Sequence, residues 1–170
     1  FTTLTCIPGL LEYNHAKIQV LDVPGIVEGA ATGRGRGREV LACAQSADFV
    51  IILVDIFTAD SIDTIKKESY ETGLRLNQTP PQVRISKKSR GGIDIGTTVK
   101  LTKINEETIT GILKEFRLEN CSIVLREDIT DDQLIDVIEG NKKYVPGITV
   151  LNKIDMIDEN ELQRMKSMIK

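Results

Sequence analysis

Apolar residues in this chain fall into short runs divided by polar turns, and the spacing within each run predicts its element. Ile18, Val20 and Leu21 make Ala16 to Leu21 a mostly buried strand, and Leu10 to Tyr13 pairs with it antiparallel across the Asn14-His15 turn. Upstream, the threonine-rich stretch Phe1 to Gly9 ends in Pro8-Gly9 and reads as a loop leading into an extended edge. Glu39 to Ser46 carries Val40, Leu41 and Ala44 on one face, as a short helix does. Phe49 to Val54 is apolar throughout and of strand length, a second buried strand, and strands buried on both faces usually belong to a parallel sheet. Asp60 or Ser61 then caps a helix that runs to about Tyr70, turns Ile62 and Ile65 inward and stops at Gly73.

The second half of the chain has its own pattern. Val83 to Ser86 alternates, Lys87 to Gly92 is a basic turn, and Ile93 to Thr102 continues extended, so that Arg84, Lys87, Lys88 and Arg90 share one hairpin. Asn105 caps an amphipathic helix with Ile109, Ile112, Leu113 and Phe116 at i, i+3, i+4 and i+7. Ser122 to Leu125 is a short strand. Thr130-Asp131-Asp132-Gln133 is a capping box, opening a helix that buries Leu134, Val137 and Ile138 and ends at Gly140. Ile148 to Leu151 is a last apolar strand, and Asp158 caps a final helix with Leu162, Met165 and Ile169 on its apolar side.

Spacing fixes the organisation. Between Val54 and Ile148 lie 93 residues, whereas a strand-helix-strand unit needs only about 30 or more in all. A second, small α+β unit is therefore expected at residues 74–145, inserted in a domain formed by residues 1–73 and 146–170.

Composition narrows the function classes. At 170 residues, 41% hydrophobic and 28% charged, the chain can bury a core, and a net charge of -3 argues against a nucleic-acid binder driven by bulk charge. Cys6, Cys43 and Cys121 are far apart and His15 is the one histidine, which points to reduced thiols in a cytoplasmic compartment and gives no zinc site. His15 has no neighbour that would make it a base. No apolar run reaches about 18 residues, so no membrane partner is indicated.

Two motifs carry chemistry. The first is Asp22-Val23-Pro24-Gly25, where an aspartate at the carboxyl end of a strand can hold magnesium directly or through water, and Gly25 leaves its N–H open to a phosphate oxygen. Gly33-Arg34-Gly35-Arg36-Gly37-Arg38 follows as a mobile loop that can order around an anion or partner. The threonines of Phe1 to Thr5 can ligate a metal or simply line an exposed edge. The second motif is Asn152-Lys153-Ile154-Asp155. The Asp155 carboxylate can accept both N1–H and the exocyclic amino group of guanine, a pair that adenine cannot supply, while Lys153 lays its stem along the base and Asn152 ties the loop down. Together, and in this order, the two motifs suit a guanine-nucleotide switch.

The runs Phe1-Thr2-Thr3-Leu4-Thr5-Cys6-Ile7-Pro8-Gly9, Ala16 to Ala30 and Gly35-Arg36-Gly37-Arg38 resemble the Obg family of GTPases. Gly73 to Asn77, Pro80-Pro81, Lys87-Lys88, Gly91-Gly92-Ile93 and Asp136 to Asn141 resemble its DRG branch, the developmentally regulated GTP-binding proteins. The resemblance implies a P-loop NTPase-like (Ras-like) α/β G domain with an inserted α+β domain similar to domain 2 of a small-subunit ribosomal protein. It implies GTP and GDP as ligands, magnesium held by Thr3 (Thr2 as fallback) and Asp22, γ-phosphate contact by Gly25, and guanine reading by Asn152, Lys153 and Asp155. Ile26 stands where many small GTPases place a water-orienting glutamine. An isoleucine cannot orient water, so hydrolysis is expected to depend on a monovalent cation such as K+ or on a partner.

None of the 13 glycines is followed by lysine, so the phosphate loop Gly-x-x-x-x-Gly-Lys-[Ser/Thr] is absent from these residues. The expectation is an incomplete G domain, inactive by itself, from a GTP-hydrolysing switch that works with ribosomes and a regulatory protein partner. The alternative is a non-catalytic RNA- or protein-binding module on a G-domain scaffold.

Overall fold

The computed structural model describes residues 6–23 and 43–169. The chain is mixed α/β and divides into two compact units, one taking in the described residues up to Gln78 and those from Lys143 on, the other Thr79–Lys142. In chain order the elements are β1 (Ile7–Tyr13), β2 (Ala16–Asp22), β3 (Val50–Asp55), α1 (Ile62–Glu71), β4 (Leu74–Leu76), β5 (Val83–Lys87) and β6 (Ile93–Thr97). There follow α2 (Glu106–Glu115), β7 (Cys121–Leu125), α3 (Asp131–Glu139), β8 (Lys143–Val145), β9 (Gly147–Asn152) and α4 (Glu159–Ile169). Of the helix expected at residues 39–46, residues 43–45 are helical and 39–42 lie outside the described residues.

In the first unit, β1 and β2 form an antiparallel hairpin in register from Ile7↔Asp22 to Tyr13↔Ala16. Asn14 and His15 have φ of 46° and 65°, the left-handed pair that matches a two-residue turn to the twist of its strands. Pro8 and Gly9 lie inside β1 instead of in a leading loop; proline, which lacks an N–H, is tolerated on an edge strand. The buried strand expected at Ala16 to Leu21 is also corrected. Ile18 and Val20 are 46% and 48% exposed, because β2 pairs antiparallel with β1 and nothing among the described residues buries either face. Burial, with Cys43 as a neighbour, pushes the thiol of Cys6, just before β1, up to about 11.

β3 and β9 pair in parallel from Val50↔Gly147 to Asp55↔Asn152. Ile52 and Val54 are buried with Ile62 of α1, and Val50, Ile65, Leu76 and Leu151 pack around them. The other face, with Ile51 and Leu53, is exposed, so the strand is parallel as expected but buried on one side only. Ser61 precedes α1 without capping it: a 3-10 turn at Ala59–Ser61 leads in, and the Ser61 hydroxyl donates to the Thr58 carbonyl. Gly73, at φ 93°, turns the chain out of the helix. It leads into β4, which pairs in parallel with β8.

The second unit is a three-stranded sheet in the order β5-β7-β6, with β5 antiparallel and β6 parallel to the central β7. The expected hairpin between β5 and β6 does not form, because β7 lies between them. Its inward residues Cys121, Ile123 and Leu125 are fully buried, so this most apolar strand takes the central place, and the parallel β6–β7 pair requires the crossover that α2 supplies. Ile109, Leu113, Ile129 and Leu134 complete the core. The Asn105 side chain accepts from Thr108 N, Thr130 and Gln133 form the reciprocal capping box, and Gly140 ends α3 at φ 62°. Thr97 closes the end of β6 by accepting from Val99 N, which stops the strand short of Thr102. Beyond it the Asp128 carboxylate accepts from Thr102 N, the Thr102 hydroxyl and Lys103 N, and these bonds hold it below the usual carboxylate range.

The fully buried Leu113 sits where α2 meets the sheet. Leu113→Ala is expected to cost about 2–5 kcal/mol, and Thr130→Ala about 1 kcal/mol through the lost cap; urea unfolding monitored by circular dichroism measures both.

Candidate functional site

The site is built at the carboxyl ends of β3 and β9, where open α/β sheets place ligands. β9 starts at Gly147, where a Cβ would lie 2.9 Å from the Val50 carbonyl oxygen, closer than real Cβ contacts allow. Asn77, in the left-handed region at φ 55°, brackets this glycine: its Nδ2 donates to Gly147 O at 2.9 Å and its Oδ1 accepts from Gly147 N at 2.8 Å. With the start of the pairing fixed in this way, Asn152 finishes opposite Asp55.

Asn152 Oδ1 accepts from Lys153 N at 2.9 Å, which ties down the start of the loop. Lys153 has φ 60° and ψ 29°, a conformation rarely kept by a non-glycine residue unless its surroundings demand it. A 3-10 turn at Ile154–Met156 follows, closed by Met156 N donating to Lys153 O, and leaves Asp155 exposed. The expected spacing is thus present in space: an anchored asparagine, a lysine thrown across the strand ends and an open carboxylate two residues on.

The lysine has a partner that sequence reasoning missed. Lys153 Nζ lies 2.8 Å from Asp55 Oδ2, and the two residues are 98 positions apart. Asp55 Oδ1 accepts from Phe57 N and Thr58 N at 3.0 Å each and from the Thr58 hydroxyl at 2.9 Å. The hydrogen bond from Lys153, followed by that from Thr58, lowers the Asp55 carboxyl from 3.8 to about 2. The exposed Phe57 ring lies 5.9 Å from Lys153 Nζ, within range of a cation–π contact. The overlooked signal was an aspartate after an apolar strand, the feature that drew attention to Asp22.

Asp22 ends β2 and is exposed, with Val23 half-buried after it. Thr2, Thr3, Pro24, Gly25, Ile26 and the Gly33 to Arg38 loop lie outside the described residues. Asp22 offers the oxygen chemistry that magnesium favours, and among the described residues no three histidine, cysteine or acidic side chains gather into a metal-binding group. Among the described residues no helix is long and apolar enough to cross a membrane.

In the second unit, Arg84 and Lys87 on β5 and Arg90 after it are exposed, while Lys88 is paired with Asp94 at 2.6 Å. An open cleft of about 540 Å³ lined by Ile93, Ile95, Glu107 and Lys114, among others, contains none of the expected site residues.

Residues 1–88 match the family model described as 50S ribosome-binding GTPase, and residues 90–170 that described as the C-terminal region of the MMR_HSR1 domain. An uncharacterized GTP-binding protein of Methanocaldococcus jannaschii is 54% identical over 98% of this chain and 42% of its own length. Developmentally-regulated G-protein 2 of Arabidopsis thaliana is 48% identical over 97% of this chain and 42% of its own. For developmentally-regulated GTP-binding protein 2 of Homo sapiens the figures are 45%, 97% and 46%. The chain spans less than half the length of these relatives.

A carboxyl that is lowered on folding contributes stability above its unfolded value, and that contribution is lost as pH falls through the folded value. For Asp55 the window therefore runs from 3.8 down to about 2. A carbon-13 NMR titration is expected to place its midpoint near the lower limit, and Lys153→Ala to raise it.

Proposed function

We propose, for a chain that belongs to the 50S ribosome-binding GTPase family and is a GTP-binding protein of the developmentally regulated type, that it forms the switch and base-reading part of a GTP-hydrolysing molecular switch. The observation that carries this reading is the parallel pairing of β3 with β9, which delivers Asn152, Lys153 and Asp155 together at a strand-end ligand position.

Each group has a distinct task. The Asp155 carboxylate accepts from N1–H and the 2-amino group of guanine; its exposure leaves both oxygens open to the base. Adenine offers an acceptor at N1 and no 2-amino group, so it would leave the carboxylate unmatched. The Lys153 stem covers one face of the base, and Asn152 holds the loop through the Lys153 amide. At the other end of the nucleotide, Gly25 N–H contacts the γ-phosphate, and Asp22 with Thr3 holds magnesium, which supplies charge neutralisation when bound. Ile26 has no group with which to orient water, so that orientation would have to come from elsewhere, from a partner or a monovalent cation such as K+.

We assign Thr79–Lys142, the compact second unit, as the core of the inserted α+β domain and as a docking surface for ribosome or ribosomal RNA. The exposure of Arg84, Lys87 and Arg90 supports this; Lys88, paired with Asp94, adds less.

In the full-length protein, GTP is expected to bind in clear preference to ATP, and Asp155→Asn to weaken GTP roughly 10–100-fold, the worth of hydrogen bonds to a charged acceptor. Equal affinities for the two nucleotides, or an Asp155→Asn protein that binds like the parent, would refute the base-reading role. Replacing Arg84, Lys87 and Arg90 together with alanine is expected to flatten the salt dependence of ribosome binding by a slope of roughly 2–3; an unchanged slope removes these residues from the interface.

A further inference from the structure

A lysine that covers a nucleotide base must present a long, flexible stem in one orientation, and ordering that stem costs conformational entropy. The structure fixes Lys153 at both ends. Its backbone is set by β9, by the Asn152 bond to its amide and by the left-handed turn. Its ammonium is held by Asp55 Oδ2 at 2.8 Å, beside the Phe57 ring.

The direction of control follows from how Asp55 itself is held. Its Oδ1 is engaged by Phe57 N, Thr58 N and the Thr58 hydroxyl, all within three residues. This turn is local and needs nothing from Lys153. Asp55 is therefore a fixed carboxylate with one oxygen left to offer, and the lysine is the mobile partner. The in-register pairing of Asp55 with Asn152 places Asp55 opposite the first residue of the base-reading loop.

We infer that Asp55 is a positioning residue for guanine recognition: held by its own turn, it anchors the Lys153 ammonium so that the lysine stem is already laid out where the base is to bind. The inference rests on the reading of Asn152 to Asp155 as the guanine loop. Asp55 touches neither base nor phosphate in this arrangement; it acts through Lys153. The phosphate end of the nucleotide is untouched, so GDP and GTP are affected alike. Phe57 adds a second, weaker hold on the same ammonium.

The test is a double-mutant cycle in the full-length protein, with GDP, GTP and ATP affinities measured for the parent, Asp55→Asn, Lys153→Ala and the double variant. Asparagine keeps an acceptor for the local turn and removes the charge that holds the lysine. Asp55→Asn is expected to weaken GDP and GTP by the same factor, about 3–10-fold, in line with a partly exposed ion pair. It should lower the melting temperature without nucleotide, as loss of the ion pair requires, and add no loss of affinity once Lys153 is alanine.

A silent Asp55→Asn protein, or losses that multiply in the double variant, would overturn the inference. So would tighter binding by Asp55→Asn, since the carboxylate would then be competing with the base for the lysine. Should Asp55→Asn not fold, Asp55→Glu moves the charge by one methylene and is expected to give a loss that again vanishes in the Lys153→Ala background. A parent protein without guanine preference overturns the base-reading role and this inference with it. A guanine-specific parent with a silent Asp55→Asn overturns this inference alone.

Discussion

The parallel pairing of β3 with β9 is the constraint on which the candidate site depends. It joins two segments separated by more than half the chain, and its register is set where Gly147 meets Val50 and where Asn77 bonds both backbone groups of Gly147. Shifting that register by one residue would turn Ile52 and Val54 out of the core and carry Asn152 away from Asp55. Burial against α1 and the geometry of the strand ends are therefore two consequences of one alignment. Parallel pairs are slow to form, because the chain must close a long loop before any ladder bond rewards it. Here the closure passes through the second unit, with its own fully buried core.

Asp55 and Asp128 show the same device used for different ends. Each carboxylate accepts from two backbone amides and a threonine hydroxyl, and each is held below the usual carboxylate range. Asp128 spends its bonds joining residues 102 and 103 to its own segment, which steadies the second unit. Asp55 satisfies a turn with one oxygen and turns the other towards Lys153. The arrangement costs little at neutral pH, where both groups of the pair are charged, and it orders a side chain that would otherwise sample many rotamers.

Much of the local structure could be read from the residues alone. The Asn14-His15 turn, the Asn105 cap, the Thr130 capping box and the Gly140 stop depend on side chains within four residues of the backbone they serve, so their signals survive in a linear reading. The loop from Asn152 to Asp155 was legible for the same reason. β8 was not: three residues are too few for an alternating pattern, and its pairing with β4 is what makes it a strand. Nor was the place of β7 between β5 and β6 readable, since the apolar pattern states that a strand is buried without naming its neighbours. The exposure of Ile18 and Val20 shows the same limit, because an alternating pattern cannot say which layer, if any, covers it.

By itself, then, the sequence determined the types and ends of most elements, much of the capping chemistry and the spacing of Asn152, Lys153 and Asp155 behind an apolar strand. These rest on propensities and hydrogen bonds that act over a few positions. Only the tertiary structure decided that Lys153 meets Asp55, that β3 is buried on one face, and that β7 is central in its sheet. Those outcomes come from strand pairing between segments far apart in the chain, whose energy depends on which surfaces meet, and composition and spacing carry no record of that choice.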